Sequence, residues 1–249
     1  MKKALVVGGA NGIGLSIATQ LANRKDYEKI YIVDKALVTD EFINPKFQSF
    51  QFDLTKEDYS IFVNFKDVDT LMVTAGFGKL SLFKNVSEPY ITNSFVVNAV
   101  APIRIIHHFM DKLLGNKDFY CGVMVSIAGF MSSPFFAVYG ATKAALKIFI
   151  ESVNVELERG GSCNRILNVS PGAIKGTSFN NEKTDLAVTT VLANEIIEHL
   201  EAKDDLFIPQ YEAIFKNVLD RYQTDFREEG RHSYDYKLER IKTSLHNEK

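Results

Sequence analysis

One segment near the N-terminus decides the fold: Ala4-Leu5-Val6-Val7-Gly8-Gly9-Ala10-Asn11-Gly12-Ile13-Gly14. Its first four residues form a short apolar run, which is typical of a strand covered on both faces. The glycines allow a sharp turn and the close approach of a phosphate group. A helix predicted over 12–23 then offers free N–H groups and the positive end of its dipole to that phosphate. Strand, glycines and helix in this order predict a dinucleotide-binding turn rather than an ordinary surface turn.

The rest of the chain continues this alternation of short apolar runs with longer helical patterns. Strands are predicted over 4–7, 30–33, 47–52, 70–74, 122–126, 165–169 and 206–208. Helices are predicted over 12–23, 90–114, 139–159 and 186–202. This β-α-β alternation predicts an α/β fold with one Rossmann-type, doubly wound parallel sheet of about seven strands and helices on both faces.

The chain contains no repeat, low-complexity tract or Pro/Gly-rich linker, so we predict one domain over residues 1–249. After Pro209 the composition changes. Residues 210–249 are rich in charges of both signs and carry apolar residues at helical spacing. We predict a helical C-terminal extension that packs on the body of the protein or on another subunit; a functional tail is the less favoured alternative.

Composition and charge exclude several classes of partner. The net charge is -2 and charged residues make up 24%, which favours neither a nucleic-acid nor an anionic-membrane partner. The first apolar run is too short for a signal peptide, and the stretch 95–114 carries too many charges to span a membrane. Cys121 and Cys163 have no metal-ligand or disulfide spacing and are expected to be buried free thiols. We therefore expect a cytoplasmic protein without a bound metal.

The second predicted strand ends at Asp34, which lies 20 residues beyond Gly14. A carboxylate at this position can accept hydrogen bonds from an adenosine ribose, and it repels a 2′-phosphate. NAD is therefore the preferred cofactor. NADP stays possible because the adjacent Lys35 could bind a 2′-phosphate.

The chemistry is indicated by Tyr139 and Lys143, four residues apart on a predicted helix and so on one face of it. A free tyrosine has a pKa of roughly 10 and is a poor acid or base at neutral pH. A nearby ammonium stabilises the phenolate and brings the group towards the working range. Ser126 ends the preceding strand, 13 residues before Tyr139. Such strand ends face the ligand crevice in this architecture.

The glycine spacing resembles the TGxxxGxG motif of the short-chain dehydrogenase/reductase family, with Val7 in the threonine position. Asp53-Leu54 looks like the pair that contacts adenine in that family. Ala75-Gly76 resembles the end of its NNAG motif, although Val73 and Thr74 stand where the asparagines usually are. The resemblance extends from residue 3 to about residue 209.

Further residues take their expected roles from this resemblance. Asn98 matches the helix asparagine that holds a water in the proton relay, and Pro171-Gly172 resembles the PG motif whose backbone binds the nicotinamide amide. The usual threonine position is occupied by Gly176, with Thr177 one residue later. The expected catalytic residues are Asn98, Ser126, Tyr139 and Lys143. The expected cofactor-binding residues are Gly8, Asn11, Gly12, Ile13, Gly14, Asp34, Asp53, Leu54, Ala75, Gly76, Asn98, Tyr139, Lys143, Pro171, Gly172, Ile174 and Thr177.

The resemblance implies hydride transfer between a nicotinamide cofactor and a secondary alcohol or ketone. Tyr139 would exchange the proton, Lys143 would lower the tyrosine pKa and hold the nicotinamide ribose, and Ser126 would bind the substrate oxygen. One alternative is a catalytically idle dinucleotide sensor or scaffold, which would need no such set. Another is a sugar-nucleotide epimerase, which usually has a longer C-terminal substrate domain. Aromatic residues near the expected crevice could line an apolar pocket: Phe77, Phe130, Phe135, Phe136 and Phe179.

Relatives of this type commonly pair their two long helices to form homodimers or homotetramers, and we expect the same here. The two predicted helices concerned cover 90–114 and 139–159. Their apolar residues extend beyond a single stripe, which is typical of an interface. The residues considered are Ile103, Ile105, Ile106 and Phe109 in one helix and Ala145, Leu146, Ile148, Phe149 and Ile150 in the other. Covering of these surfaces by the C-terminal helices is the alternative.

Overall fold

Seven strands form one parallel sheet in the computed structural model of this protein. The structure describes residues 1–177, 179 and 182–247, and only the backbone over 240–247. The strands are β1 Lys2–Val7, β2 Tyr27–Asp34, β3 Phe47–Gln51, β4 Thr70–Val73, β5 Tyr120–Met124, β6 Ile166–Val169 and β7 Leu206–Phe207. Their order is β3-β2-β1-β4-β5-β6-β7, with every neighbouring pair parallel. The central strands β1 and β4 mark the point where the strand order reverses. Ligands bind at such a point, beyond the carboxyl ends of the strands.

Helices cover both faces of this sheet. They are α1 Gly12–Asn23, α2 Glu88–Phe95, α3 Ala101–His108, α4 Met110–Leu114, α5 Ala137–Arg159, α6 Leu186–Ala202, α7 Lys216–Thr224 and α8 Phe226–Asn247. Strand side chains alternate between the two faces. In β1, Ala4 and Val6 join the core under α1 and α6, whereas Leu5 and Val7 join the core under α3 and α5. The predicted doubly wound architecture is confirmed.

The helix predicted over 90–114 is interrupted. α2 ends at Phe95, a wider turn of π type spans Val96–Val100, and α3 begins at Ala101. Pro102 has no N–H to donate to the carbonyl oxygen of Asn98 four residues earlier, so a regular α-helix cannot pass through this point. The interruption contains Asn98, whose side chain contacts the backbone of Phe77 in the candidate site.

The apolar residues proposed as an interface mostly lie in the core. Ile105, Ile106, Phe109, Leu146 and Ile150 are buried beneath their helices, and only Ala145 and Ile148 of the proposed residues are exposed. Most of these residues therefore belong to the core, because a helix that packs on a sheet buries a wide stripe of its surface. Assembly through the two helices stays a prediction.

The C-terminal extension contacts the loop before α5 and the segment after β6. Cys121 is buried as expected, but Cys163 is exposed, contrary to the expectation from sequence.

Within the described residues, no helix combines the length and apolarity needed to cross a membrane, and no group of three or more His, Cys, Asp or Glu side chains is arranged to hold a metal ion.

Candidate active site

The glycine turn after β1 has no room for side chains. Gly8 adopts φ +86°, a conformation that favours glycine, and a Cβ there would collide with the backbone nitrogen of Ala75. A Cβ at Gly14 would collide with the carbonyl oxygen of Gly8. The turn therefore presents bare backbone at the switch point of the sheet, as a pyrophosphate group requires.

Thr74 holds this turn against the end of β4. Its hydroxyl is shared between the carbonyl oxygens of Val7, at 3.1 Å, and Gly8, at 3.0 Å. The resemblance gives an asparagine at this position, and the change to threonine predicts an altered support of the central sheet. The structure shows that the threonine still joins β4 to the glycine turn, with a hydroxyl instead of an amide.

The N-terminus of α1 lies beside the segment that follows β6. No acidic residue occupies the first turn of α1, so its positive dipole end keeps its attraction for an anion. The N–H of Gly12 donates to the hydroxyl of Thr184 at 2.9 Å. A Cβ at Gly12 would lie 3.5 Å from the Cβ of Thr177, whose hydroxyl donates to Ile174 O at 2.8 Å. Thr177 is thus placed at the helix end that would receive the phosphates.

The carboxylate of Asp34 is fixed at the end of β2. It accepts hydrogen bonds from the N–H groups of Ala10, at 3.0 Å, and Ala36, at 3.1 Å. Both of these bonds use backbone donors, so the remaining lone pairs can accept hydroxyl groups of a ribose. Lys35 points to another carboxylate, with its Nζ 3.6 Å from Asp53.

Asp53 and Leu54 follow β3 as expected for an adenine-binding pair. Backbone and side-chain hydrogen bonds from Thr55, at 2.9 and 2.8 Å, hold the pKa of the Asp53 carboxyl below its usual value, with desolvation opposing them and Lys35 adding to them. The Leu54 side chain is buried in the core, and its carbonyl oxygen accepts from Tyr59. Leu54 therefore offers only its backbone to the crevice.

Tyr139 and Lys143 lie on one face of α5, with the Lys143 Nζ 5.7 Å from the centre of the tyrosine ring. The ammonium donates at 2.8 Å to Met124 O, at the end of β5. Burial lowers the pKa of Lys143 to about 7. Burial also raises the pKa of Tyr139 to about 12, while a hydrogen bond with Ser126 lowers it and the nearby Tyr90 raises it further. The expected lowering of the tyrosine pKa by Lys143 is absent from this arrangement, because desolvation of both groups dominates.

Ser126 follows β5 and lies at the start of a short turn, Ile127–Gly129. Its Oγ accepts from Ala128 N at 3.1 Å and is 3.5 Å from Pro171 O. A Cβ at Gly129 would lie 2.8 Å from the carbonyl carbon of Lys143, which is closer than real Cβ atoms come. The missing side chain lets the turn pack directly on α5, and this close packing sets the position of Ser126 relative to Tyr139.

Asn98 joins three parts of the site. Its Oδ1 accepts from Phe77 N at 2.9 Å, and its Nδ2 donates to Phe77 O at 2.8 Å and to the Thr142 hydroxyl at 3.3 Å. A Cβ at Gly76 would lie 3.3 Å from Asn98 Oδ1 and 3.4 Å from Lys143 Nζ. The Ala75-Gly76 segment therefore passes directly over Asn98 and Lys143. The Asn98 amide holds this segment rather than pointing into open space.

Two aromatic rings pack against the ring of the tyrosine. The centre of the Tyr139 ring lies 5.3 Å from that of Phe136 and 5.2 Å from that of Phe179. Phe77 makes an edge contact with Tyr90 at 5.7 Å. Phe130 instead packs beneath the ammonium of Lys147. Of the aromatic residues expected from sequence to line an apolar pocket, Phe136 and Phe179 pack against the ring of Tyr139.

The C-terminal extension packs against two segments of the candidate site. The ring of Phe215 lies against Gly172, where a Cβ would come within 2.7 Å of it. Lys237 donates to Ser133 Oγ at 2.6 Å and to Pro134 O at 3.0 Å. Phe135, which has φ +65°, packs its ring 4.7 Å from that of Tyr234. The extension thus supports both the Pro171-Gly172 segment and the loop that leads into α5.

Several of these residues could not be identified from sequence. Thr142 lies one residue before Lys143, and Thr184 lies well beyond the PG motif, so neither has a recognisable spacing. Tyr90 begins the helix predicted over 90–114 and carried no chemical signal. Thr74 could have been identified, because it lies two residues before Gly76, at an asparagine position of the altered NNAG motif.

Curated proteins with similar sequences include two oxidoreductases. An uncharacterized oxidoreductase of Saccharomyces cerevisiae, TDA5, is 25% identical over 212 residues, which cover 79% of this chain and 64% of that protein. Retinol dehydrogenase 8 of Bos taurus is 24% identical over 230 residues, which cover 87% of this chain and 73% of that protein. The chain thus spans less than two thirds of the yeast protein's length.

Solved structures share the fold. A short-chain dehydrogenase/reductase from Burkholderia phymatum in complex with NAD has a TM-score of 0.76 at 16% identity, covering 91% of this chain and 94% of that one. One from Sphingobium yanoikuyae in complex with NADPH has a TM-score of 0.72 at 19% identity, covering 92% and 96%. The sequence profile of the short chain dehydrogenase family matches residues 2–187, which is most of the chain. This protein therefore belongs to the short-chain dehydrogenase family.

Proposed function

We propose that this protein transfers a hydride between a nicotinamide dinucleotide and a secondary alcohol or ketone, with Tyr139 exchanging the proton. The observation that carries this proposal is the meeting of Ser126, Tyr139 and Lys143 beside the Ala75-Gly76 segment at the carboxyl end of the sheet. An idle dinucleotide sensor would have no use for a buried lysine beside a buried tyrosine and serine. Burying such groups costs stability, so their retention supports a catalytic role.

The glycine turn and the dipole of α1 fit a dinucleotide. The residues proposed to bind it are Gly8, Asn11, Gly12, Ile13, Gly14, Asp34, Asp53, Leu54, Ala75, Gly76, Asn98, Tyr139, Lys143, Pro171, Gly172, Ile174 and Thr177. When bound, the cofactor supplies or accepts the hydride. The protein supplies position, exclusion of water and a route for the proton.

Tyr139 is proposed as the acid that protonates the oxygen of a ketone during its reduction. With a pKa raised by burial, its hydroxyl is protonated at neutral pH and can donate. Ser126 is proposed to donate a hydrogen bond to the same oxygen as negative charge develops there. In the direction of alcohol oxidation the same groups act in reverse, and Tyr139 accepts the proton.

Lys143 and Asn98 are proposed to support this transfer. The Lys143 ammonium lies beside Gly76 and is proposed to hold the nicotinamide ribose. A relay water at Asn98 would bind to the backbone carbonyl oxygen of this residue, because its side-chain amide already contacts Phe77 and Thr142. The residue that would donate to this oxygen in a regular helix is Pro102, which has no N–H.

NAD is proposed as the preferred cofactor. The carboxylate of Asp34 is held by Ala10 and Ala36 at the end of β2, where it would repel a 2′-phosphate. NADP is the alternative cofactor, because Lys35 is 82% exposed, its contact with Asp53 at 3.6 Å is weak, and its ammonium is free to bind a 2′-phosphate.

We also propose that the protein works as a homodimer or homotetramer in the cytoplasm. α5 exposes 58% of Ile148 and 60% of Val155, seven residues apart and therefore on one side of the helix. The neighbouring α2 and π turn expose Phe95 and Val100. We propose that a second copy covers these exposed apolar side chains. The free thiols of Cys121 and Cys163 suit a reducing compartment.

The proposed activity is tested by following nicotinamide absorbance in the presence of a panel of secondary alcohols and ketones. Substrate-dependent oxidation or reduction of the cofactor is expected. Tight cofactor binding without turnover of any member would instead favour the idle sensor.

A further inference from the structure

The hydroxyl of Tyr90 is an exception among the buried polar groups. Its oxygen is shielded from solvent and has no hydrogen-bond partner among the residues that the structure describes. Buried hydroxyl groups nearly always have a partner, and one without a partner lowers stability. A group of this kind inside a binding crevice is expected to have its partner in the ligand.

Tyr90 is held in a fixed position. It lies in α2, where its carbonyl oxygen accepts from Ser94, and its ring meets the edge of Phe77 at 5.7 Å between ring centres. The backbone of Phe77 is in turn bound on both its N–H and its carbonyl by the amide of Asn98. The same asparagine that shapes the catalytic region therefore also positions the wall that supports Tyr90.

Tyr90 and Tyr139 line one narrow cavity, whose apolar walls include Phe135 and Phe136. The cavity measures about 10 Å³, which is room for roughly one oxygen-sized group. The electrostatic effect of Tyr90 on the pKa of Tyr139 agrees with their closeness. Lys79 and Ser81 also line the cavity, but the Ser81 hydroxyl already donates to the carbonyl oxygen of Leu82 at 3.2 Å. Next to the proposed acid, the cavity therefore offers the Tyr90 hydroxyl, which has no partner among the described residues.

We propose that Tyr90 determines substrate specificity: its hydroxyl donates a hydrogen bond to a second oxygen of the substrate, near the carbonyl or alcohol that reacts. The substrate class is therefore a ketone or secondary alcohol that carries another carbonyl, hydroxyl or ester oxygen on an apolar body. This inference rests on the proposed function. Ser126 and Tyr139 bind the reacting oxygen, so the hydroxyl of Tyr90 is left for the second one.

The test compares Tyr90→Phe with the unmodified protein on matched pairs of ketones. In a pair such as 1-phenylpropane-1,2-dione and 1-phenylpropan-2-one, one member has a second oxygen and the other lacks it. The ratio of kcat/KM within each pair is measured for both proteins. Comparing the two ratios cancels any difference in intrinsic reactivity between the ketones. The variant is expected to lower the preference for the second oxygen about tenfold or more, because one hydrogen bond to the substrate is lost.

Tyr27→Phe serves as the matched control. The hydroxyl of Tyr27 is also buried, but it has a partner in Thr70 at 2.7 Å, at the opposite end of the central strands. Tyr27→Phe is expected to lower the melting temperature and to leave the preference unchanged. Tyr90→Phe is expected to leave the melting temperature equal or higher, because it removes a hydroxyl without a partner.

The possible results separate the two proposals. If the unmodified protein reduces no ketone in the panel, the proposed function fails and the role of Tyr90 fails with it. If it reduces ketones but the preference is the same in Tyr90→Phe, or if it prefers the member without the second oxygen, only the role of Tyr90 is overturned. A fall in the melting temperature of Tyr90→Phe like that of Tyr27→Phe would also overturn it, since the hydroxyl would then have a partner within the protein.

Discussion

The ammonium of Lys143 donates a 2.8 Å hydrogen bond to the carbonyl oxygen of Met124, and so ties α5 to the end of β5. Ser126 follows Met124 by two residues, and Tyr139 precedes Lys143 by one helical turn. One contact therefore fixes the spacing between the two elements that carry the proposed chemistry. It also buries a charge, which has a measurable consequence.

Lys143→Met is predicted to change how stability depends on pH. Burial lowers the pKa of Lys143 from 10.5 to about 7, so between these values the unfolded chain binds one proton more than the folded protein. Stability of the unmodified protein should therefore rise with pH across this window, by about 1.4 kcal/mol per unit from this group. Below about pH 7 Lys143 is protonated in both the folded and the unfolded chain, and the buried charge then lowers the stability of the folded protein by its full amount.

This slope is measured by urea unfolding at about pH 6 and about pH 9. The gain in stability of Lys143→Met over the unmodified protein should be largest at the lower pH. At the higher pH this gain should become smaller. A difference that does not change with pH would show that Lys143 is not a buried, titrating group.

Asp34→Asn is predicted to weaken the discrimination against NADP(H). The variant keeps an oxygen that can accept from Ala10 N–H but loses the charge that repels a 2′-phosphate. Fluorescence titration should show the ratio of NADPH to NADH dissociation constants falling about tenfold or more. Lys35→Ala is the control and should keep the preference for NADH. Tighter binding of NADPH to the unmodified protein would contradict the assignment and point to Lys35.

Ile148→Glu is predicted to separate the subunits. A carboxylate on the exposed side of α5 would be buried without a partner in the proposed interface. Light scattering at micromolar concentration should give at least a dimer for the unmodified protein and a mass of 28.0 kDa for the variant. Val191→Glu changes a residue that is 66% exposed on α6 and should leave the mass unchanged. A monomeric unmodified protein would remove the proposed interface altogether.

Tyr234→Ala is predicted to loosen the loop before α5. The ring of Tyr234 packs on Phe135, whose φ of +65° is unfavourable for a bulky side chain and needs support from its surroundings. The free energy of unfolding should fall by about 1 kcal/mol or more. His232→Ala, at an exposed residue on the same helix, should cost less in urea unfolding. Equal losses in the two variants would argue against a supporting role for the extension.

The architecture could be predicted from sequence because it depends on local patterns. The helices over 12–23 and 186–202 have the predicted bounds, and all seven predicted strands are present with ends shifted by at most three residues. Short apolar runs separated by helical patterns leave few arrangements other than a parallel sheet. The break at Val96–Val100 was missed because a π turn has no pattern of its own, although Pro102 was a usable warning.

The site was predictable only where a motif fixes it. The glycine turn and the Ser126–Tyr139–Lys143 set have recognisable spacings, and the structure brings each of them to the same edge of the sheet. The electrostatics were not predictable, because the pKa values of Tyr139 and Lys143 depend on how deeply the fold buries them. The contact of Phe215 with Gly172 joins residues that are distant in sequence, and no local pattern announces it.

The most direct test of the proposed chemistry is the turnover of Tyr139→Phe. The variant keeps the ring that packs on Phe136 and Phe179 but has no proton to exchange. Ser126→Ala is the companion variant. It should be less damaging, because it removes one hydrogen bond and leaves the proton route in place. Both variants should still bind the cofactor.

The decisive measurement is kcat for cofactor-dependent ketone reduction by Tyr139→Phe, together with its dissociation constant for NADH. We expect kcat to fall about 10²- to 10⁴-fold, with NADH binding essentially retained. A variant that binds NADH and keeps most of the kcat of the unmodified protein would rule out Tyr139 as the group that exchanges the proton.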